Sequence, residues 1–197
     1  MEAAREAFAE NGYESLSMRS LAERIGCSHG SIYLHFKDKN ELFDCLVEES
    51  FAELAEVLTA LRPPGKEVDP VDLLKKKGRA YVEFGLRNPW AYEFAFVLRR
   101  PSASQPQKPH QAYENLKSLV KECIALKRFR RIDADTASQA IWTAVHGVTS
   151  LLLFRPDFPW SDKKAVIGLV VDSAVNGLLA QPGEAAKPVR KRTRTRD

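Results

Sequence analysis

The chain is 197 residues long, enough to bury a real core in one or two domains, and no apolar run approaches the roughly 18 residues of a membrane-spanning helix. Its opening MEAAREAF reads as a charged amphipathic segment rather than a signal peptide, and Cys27, Cys45 and Cys123, odd in number and widely spaced, fit a reducing cytoplasm better than a disulfide framework. The net charge of +4 belongs to the tail: residues 187–197 hold six basic residues and one acid and the remainder sums to −1, so a basic composition is no evidence for a nucleic-acid partner.

Ala4, Phe8, Gly12 and Tyr13 mark a first helix. Residues 17–39, SMRSLAERIGCSHGSIYLHFKDK, then read as two short helices joined by a glycine turn. Ser17 is placed to cap the first of these, whose apolar face is Leu21, Ala22 and Ile25. Gly26 stands where the chain must turn sharply with positive φ, and Ser28 caps the next helix. That helix carries His29, Gly30, Ser31 and Tyr33 where a core helix would carry bulk. Small residues let it approach base edges in a major groove, and hydroxyl and imidazole groups reach phosphates. Arg19, Arg24, Lys37 and Lys39 cluster around this face, while Glu2, Glu6 and Glu10 can point away, although residues 1–44 hold five Lys/Arg against eight Asp/Glu.

Asp38 and Glu41 have the spacing of a capping box opening a helix to about residue 61, with Leu42, Phe43, Leu46, Val47, Phe51, Leu54 and Leu58 on one broad apolar face. RPPGKEVDP is a connector, and Asp69-Pro70 starts a helix to residue 87 by a cap and an N1 proline. Asn88-Pro89-Trp90 restarts another to about residue 100, and PSASQPQKP over 101–109 is a polar loop. Helices follow over 110–128 and 134–154, FRPDFPW turns, and Ser161 caps a last helix to residue 179. No strand or tandem repeat is visible. The fold class is therefore all-α: a three-helix head, a connecting fourth helix and a larger body of about five more. Beyond residue 181, Pro, Gly, Ala and a basic run without an apolar face read as a disordered tail. It is either a solvated end or a mobile polycation adding sequence-independent phosphate contact.

Leu21, Ala22, Gly26, Ser28, Gly30, Ser31, Tyr33, His35, Phe36, Lys39 and Leu42, preceded by an AxxxFxxxGY pattern, resemble the helix-turn-helix signature of the tetracycline-repressor (TetR) family. The resemblance covers about a quarter of the chain and is specific. It implies a DNA-binding head over 1–45, a ligand-binding and dimerisation body over 46–181 and a basic tail over 182–197. It implies double-stranded DNA and a small-molecule effector as partners, a homodimer, a cytoplasmic, nucleoid-associated setting, and no membrane or cofactor. In the head, Tyr33, His35 and Lys39 are expected on phosphates and His29, Gly30 and Ser31 nearest the bases, with Ser17, Arg19 and Ser28 completing the face. Family members usually carry several residues, often basic, before the first helix. Here that helix begins close to Met1, so either the natural start lies upstream or the tail compensates.

In the body, Thr143, Gly147, Ser150 and Leu151 lie on one stripe, and Val166, Val170, Ser173 and Gly177 on another. Small residues at this spacing let two backbones approach closely, either within the chain or across a dimer. The dimer reading gains from the two-fold symmetry that paired half-sites need. Tyr81, Phe84, Trp90, Phe94, Tyr113 and Trp142 are available to line a ligand cavity or to fill the core. WTAVHG at 142–147 resembles a Trp-x-x-x-His-Gly element of one group of TetR-like ligand domains, and a buried His146 would want a polar partner that a ligand could supply. Cys27 and His29 lack a second pair at ligand spacing, so no metal site is expected, and no catalytic motif or convergent acid–base pair occurs. The expected function is a ligand-responsive repressor acting on a palindromic operator. The alternative is a helical DNA-associated organiser that recruits a protein partner without sensing a ligand.

Overall fold

The computed structural model describes residues 1–65, 67–97 and 111–181, apart from the side chains of Phe94 and Ala95. The expected loop over 101–109, the end of the helix expected to reach residue 100, and the tail over 182–197 lie outside these residues. Among the described residues are nine helices: α1 (Glu2–Ser15), α2 (Met18–Ile25), α3 (His29–Tyr33), α4 (Lys39–Ala60), α5 (Pro70–Arg87), α6 (Pro89–Phe96), α7 (Gln111–Ala125), α8 (Ala134–Phe154) and α9 (Lys163–Asn176).

Local chemistry sets most boundaries. The Ser17 hydroxyl accepts the Ser20 N–H at 3.1 Å while the Ser20 hydroxyl accepts the Ser17 N–H at 3.0 Å, a reciprocal capping box. Gly26 ends α2 at φ 75°, a left-handed conformation that a Cβ disfavours. Asp38 caps α4 by accepting from Asn40 and Glu41, and Asp69 caps α5 ahead of Pro70. Two caps differ from expectation. The Glu41 carboxylate accepts the Lys37 N–H at 2.5 Å, one residue before the N-cap it was expected to reach. Asp162, not Ser161, caps α9 by accepting the Lys164 N–H at 2.9 Å; a carboxylate adds charge complementary to the helix dipole that a hydroxyl lacks.

α7 and α9 also stop short of their expected ends, because the residues that follow pair with each other. Phe129 and Leu179 form an isolated antiparallel bridge, with Arg130 N–H donating to the Leu178 carbonyl at 2.9 Å and Ala180 N–H to that of Arg128 at 3.0 Å.

Three apolar clusters hold the fold. The head core gathers Phe8 from α1, Leu21 from α2, Ile32 from α3, and Leu42 and Leu46 from α4. The middle core joins Leu54 and Leu58, also from α4, to Tyr81 and Val82 of α5, Tyr92 of α6, and Val145 and Val148 of α8. The far core closes around Leu73, Val120, Cys123 and Val175. α4 thus runs through the expected head–body boundary at residue 45 and serves both sides of it. Gly85 lets α5 close on α8: a Cβ there would lie 2.5 Å from the Thr149 methyl and 3.0 Å from the Tyr92 ring.

Candidate nucleic-acid interface and ligand cavity

α3 is a five-residue helix anchored by one buried side chain, Ile32. The Ser28 hydroxyl accepts the Ser31 N–H at 3.1 Å and lies 2.7 Å from the Ser31 hydroxyl, so Ser28 both starts the helix and orients Ser31. His29, Gly30, Tyr33 and His35 are exposed, and the His29 and Tyr33 rings meet edge to face at 5.1 Å. Leu34 was not in the sequence-derived set; at 84% exposure it is an apolar side chain standing beside these polar groups. It follows buried Ile32 by two positions, and that half-turn offset was the available signal.

The expected ring of cations is thinner than the sequence suggests. Arg24 pairs with Glu10 of α1 at 2.6 Å, and exposed Arg19 pairs with Glu23 on its own helix at 3.2 Å. The Lys39 ammonium donates to the Tyr13 and Leu16 carbonyls at 2.7 and 2.8 Å and sits 4.2 Å from the Tyr13 ring centre. Two of its three donors thus close the end of α1 instead of standing free for phosphate. Lys37 is exposed and makes no ion pair among the described residues. Ser17 is exposed, but its hydroxyl is used in its own cap.

Behind the head, α4, α5, α7 and α8 enclose a cavity of about 590 Å³, with Phe96 of α6 in its wall. That volume lies within the range of small-molecule sites. Most of the lining is apolar, and Tyr81, Tyr113 and Trp142 are the members of the expected ligand set that reach it. The Tyr113 and Trp142 rings meet edge to face at 6.0 Å.

The rest of that set is placed differently. Phe84 is buried in the middle core and does not line the cavity. Trp90 serves the head–body contact: it packs against both adjacent cores, and the Arg5 guanidinium lies 4.0 Å from its ring centre. Arg5 is itself buried and pairs with Glu49 at 2.6 Å and Glu53 at 3.2 Å on α4. The Phe94 side chain lies outside the described residues. His146 stands behind the wall and already has internal partners. Its Nδ1 lies 2.8 Å from the Tyr92 hydroxyl and 3.1 Å from that of Tyr81. Tyr92, missing from the expected set, is the hub: its hydroxyl also donates to the His146 carbonyl at 3.0 Å and meets the Ser150 hydroxyl at 2.7 Å. Burial pushes the Tyr81 phenol well up, pushes that of Tyr92 up to about 12, and holds the His146 imidazole below its ordinary value.

The two small-residue stripes divide. α8 and α9 pack together within the chain, but through buried Val145, Val148, Leu152 and Val171. Val166 and Val170 face that same core, and Ser150 turns inward to Tyr92. Leu151, Ser173 and Gly177 are exposed, a Cβ at half-buried Gly147 would meet nothing within 4 Å, and Thr143, also exposed, belongs to the lining of the ligand cavity. Leu151 at 51% and Leu169 at 70% exposure add apolar surface to this outward face. Among the described residues no group of three or more His, Cys, Asp or Glu is placed to hold a metal, and no helix is long and apolar enough to cross a membrane.

Known proteins share these features. A family model described as "Bacterial regulatory proteins, tetR family" matches residues 1–46, and one described as "Tetracyclin repressor-like, C-terminal domain" matches residues 74–174. The HTH-type transcriptional repressor AcnR of Corynebacterium diphtheriae is 48% identical over 58 residues, 29% of this chain and 30% of AcnR, so the match spans under a third of that relative's length. The HTH-type transcriptional regulator AcrR of Shigella flexneri is 32% identical over 161 residues, covering 74% of this chain and 71% of AcrR. Among solved structures, the fatty acid degradation regulator FadR of Bacillus halodurans superposes with a TM-score of 0.71 at 18% identity, over 90% of this chain and 93% of FadR. That likeness is one of fold. With a C-terminal family model spanning about half the chain and a likeness to AcrR running through most of both proteins, the chain belongs to the TetR family of bacterial regulatory proteins.

Proposed function

We propose that the protein is a transcriptional repressor, not an enzyme, that binds a palindromic operator in double-stranded DNA as a homodimer and is released by a small apolar or amphipathic effector. One observation carries this reading: α6 touches both ends of the switch. Its first turn holds Trp90 beneath Arg5 of the head, and its last turn holds Phe96 in the cavity wall. An occupant that displaces Phe96 therefore acts on an element that bears on the head, and α4 supplies a second path because its side chains belong to both cores.

At the DNA, His29, Gly30 and Ser31 approach the bases, while Tyr33, His35, Arg19 and Lys37 serve phosphates. Leu34 suits contact with a thymine methyl. Lys39 acts on DNA binding by holding the end of α1. The outward face around Gly147, Leu151 and Leu169 supports pairing with a second copy, which gives each head one half-site. AcnR is named a repressor and AcrR a regulator, which agrees with this reading.

Selection of bound duplexes from a random library tests it. Two inverted half-sites should emerge, and no enrichment, or a single half-site, would contradict the dimeric reader. A palindrome whose affinity no cavity ligand alters would favour the organiser.

A further inference from the structure

The polar groups of the cavity are not evenly balanced. Leu74, Lys77, Gly78 and Tyr81 recur along one face of α5, and all line the cavity. Lys77 is half-buried, and among the described residues no carboxylate pairs with it. The neighbouring acids have other partners. Asp135 is held by Lys117 at 2.5 Å, Glu114 is exposed and acts on Lys117, and Glu122 is held by Arg62 through two bonds of 2.7 and 2.8 Å. Burial and the positive charge of Arg62 both push the Lys77 ammonium down. A half-buried cation without a counterion raises the energy of the empty cavity, and an anionic head relieves it.

We infer that the cavity takes an amphipathic organic anion, with its carboxylate paired to Lys77 and its apolar body against Phe51, Phe96 and Trp142. This rests on the effector reading of the cavity and narrows it to one charge class. A neutral analogue leaves Lys77 unpaired, and a cationic one is repelled by it.

The test uses three probes with one decyl tail: decanoate, methyl decanoate and decyltrimethylammonium, titrated calorimetrically into the full chain. Decanoate should bind at least about tenfold more tightly than the ester, the worth of one charge-assisted hydrogen bond. K77M should lose that preference, with decanoate binding weakened at least severalfold relative to the ester, and K77R should keep it. Equal binding of decanoate and ester, tighter binding of the cation, a preference that survives K77M, or no binding by any probe would each overturn the inference. Adding operator separates the two readings. If decanoate and ester release operator alike, the anion preference fails and the sensor stands. If decanoate binds selectively without affecting operator, the sensor fails and the preference stands.

Discussion

Lys37 and Lys39 stand two positions apart and carry different duties. Lys37 is exposed and free of ion pairs among the described residues, whereas Lys39 is spent on the Tyr13 and Leu16 carbonyls. Lys37→Ala should weaken all DNA sequences about equally and reduce the salt slope by about one unit, read as affinity across a salt series. Lys39→Ala should instead cost about 1–3 kcal/mol of head stability in urea melts, because two backbone acceptors lose their partner. A Lys39→Ala protein of full stability would contradict that role. His146 gives a pH prediction. Its folded-state value lies below the ordinary one because burial disfavours the imidazolium. The unfolded chain therefore takes up the proton first, so the stability owed to this group is complete above its unfolded pKa and is lost as pH falls through the folded value. His146→Asn should flatten the fall of the urea midpoint below about pH 6.5, and parallel curves for variant and wild type would contradict this.

Helices differ in what their glycines allow. Gly85 lies where α5 meets α8, and Gly147 faces open space. Gly85→Ala should cost about 1–3 kcal/mol by overpacking against Thr149 and Tyr92. Gly147→Ala should leave the fold intact or stabilise it by up to about 1 kcal/mol. Gly147→Glu should fold yet sediment as a monomer with weak operator affinity; an intact dimer would move the interface elsewhere. α6 is the lever of the proposed switch. Trp90→Ala should leave cavity binding in place while reducing the effect of ligand on operator affinity, and undiminished coupling would assign the lever to α4 alone. Most element boundaries with a local cause were legible in the sequence, the caps made by Glu41 and Asp162 excepted. Ser17, Gly26, Ser28, Asp38 and Asp69 each act within a few residues and were found in place. What the sequence hid depends on partners far along the chain. Arg5 meets Glu49, Glu53 and Trp90, Arg24 meets Glu10, and Tyr92 meets His146 across 54 positions. No spacing rule reports such meetings. For that reason, Trp90 and His146 were expected at the ligand and Lys39 at the phosphate.

At the scale of the whole molecule, the charge balance of the head offers no affinity for DNA. Residues 1–44 carry more acid than base, and several of their cations are already matched within the chain. In the proposed dimer, specific contacts of α3, doubled by two-fold symmetry, supply the difference. The cavity lies at the junction of α4 through α8, and in the proposed switch its occupant and the operator compete for one arrangement of the same helices. Linkage then requires reciprocity: a ligand that lowers operator affinity must itself bind less tightly to the operator complex, by the same factor. The direct measurement is calorimetric affinity of the tightest-binding decyl probe for the protein, alone and saturated with its selected operator. The account predicts weaker binding in the complex, by the factor that the probe takes from operator affinity. Equal affinity in the two states would contradict it, because a ligand that does not distinguish two states cannot shift them.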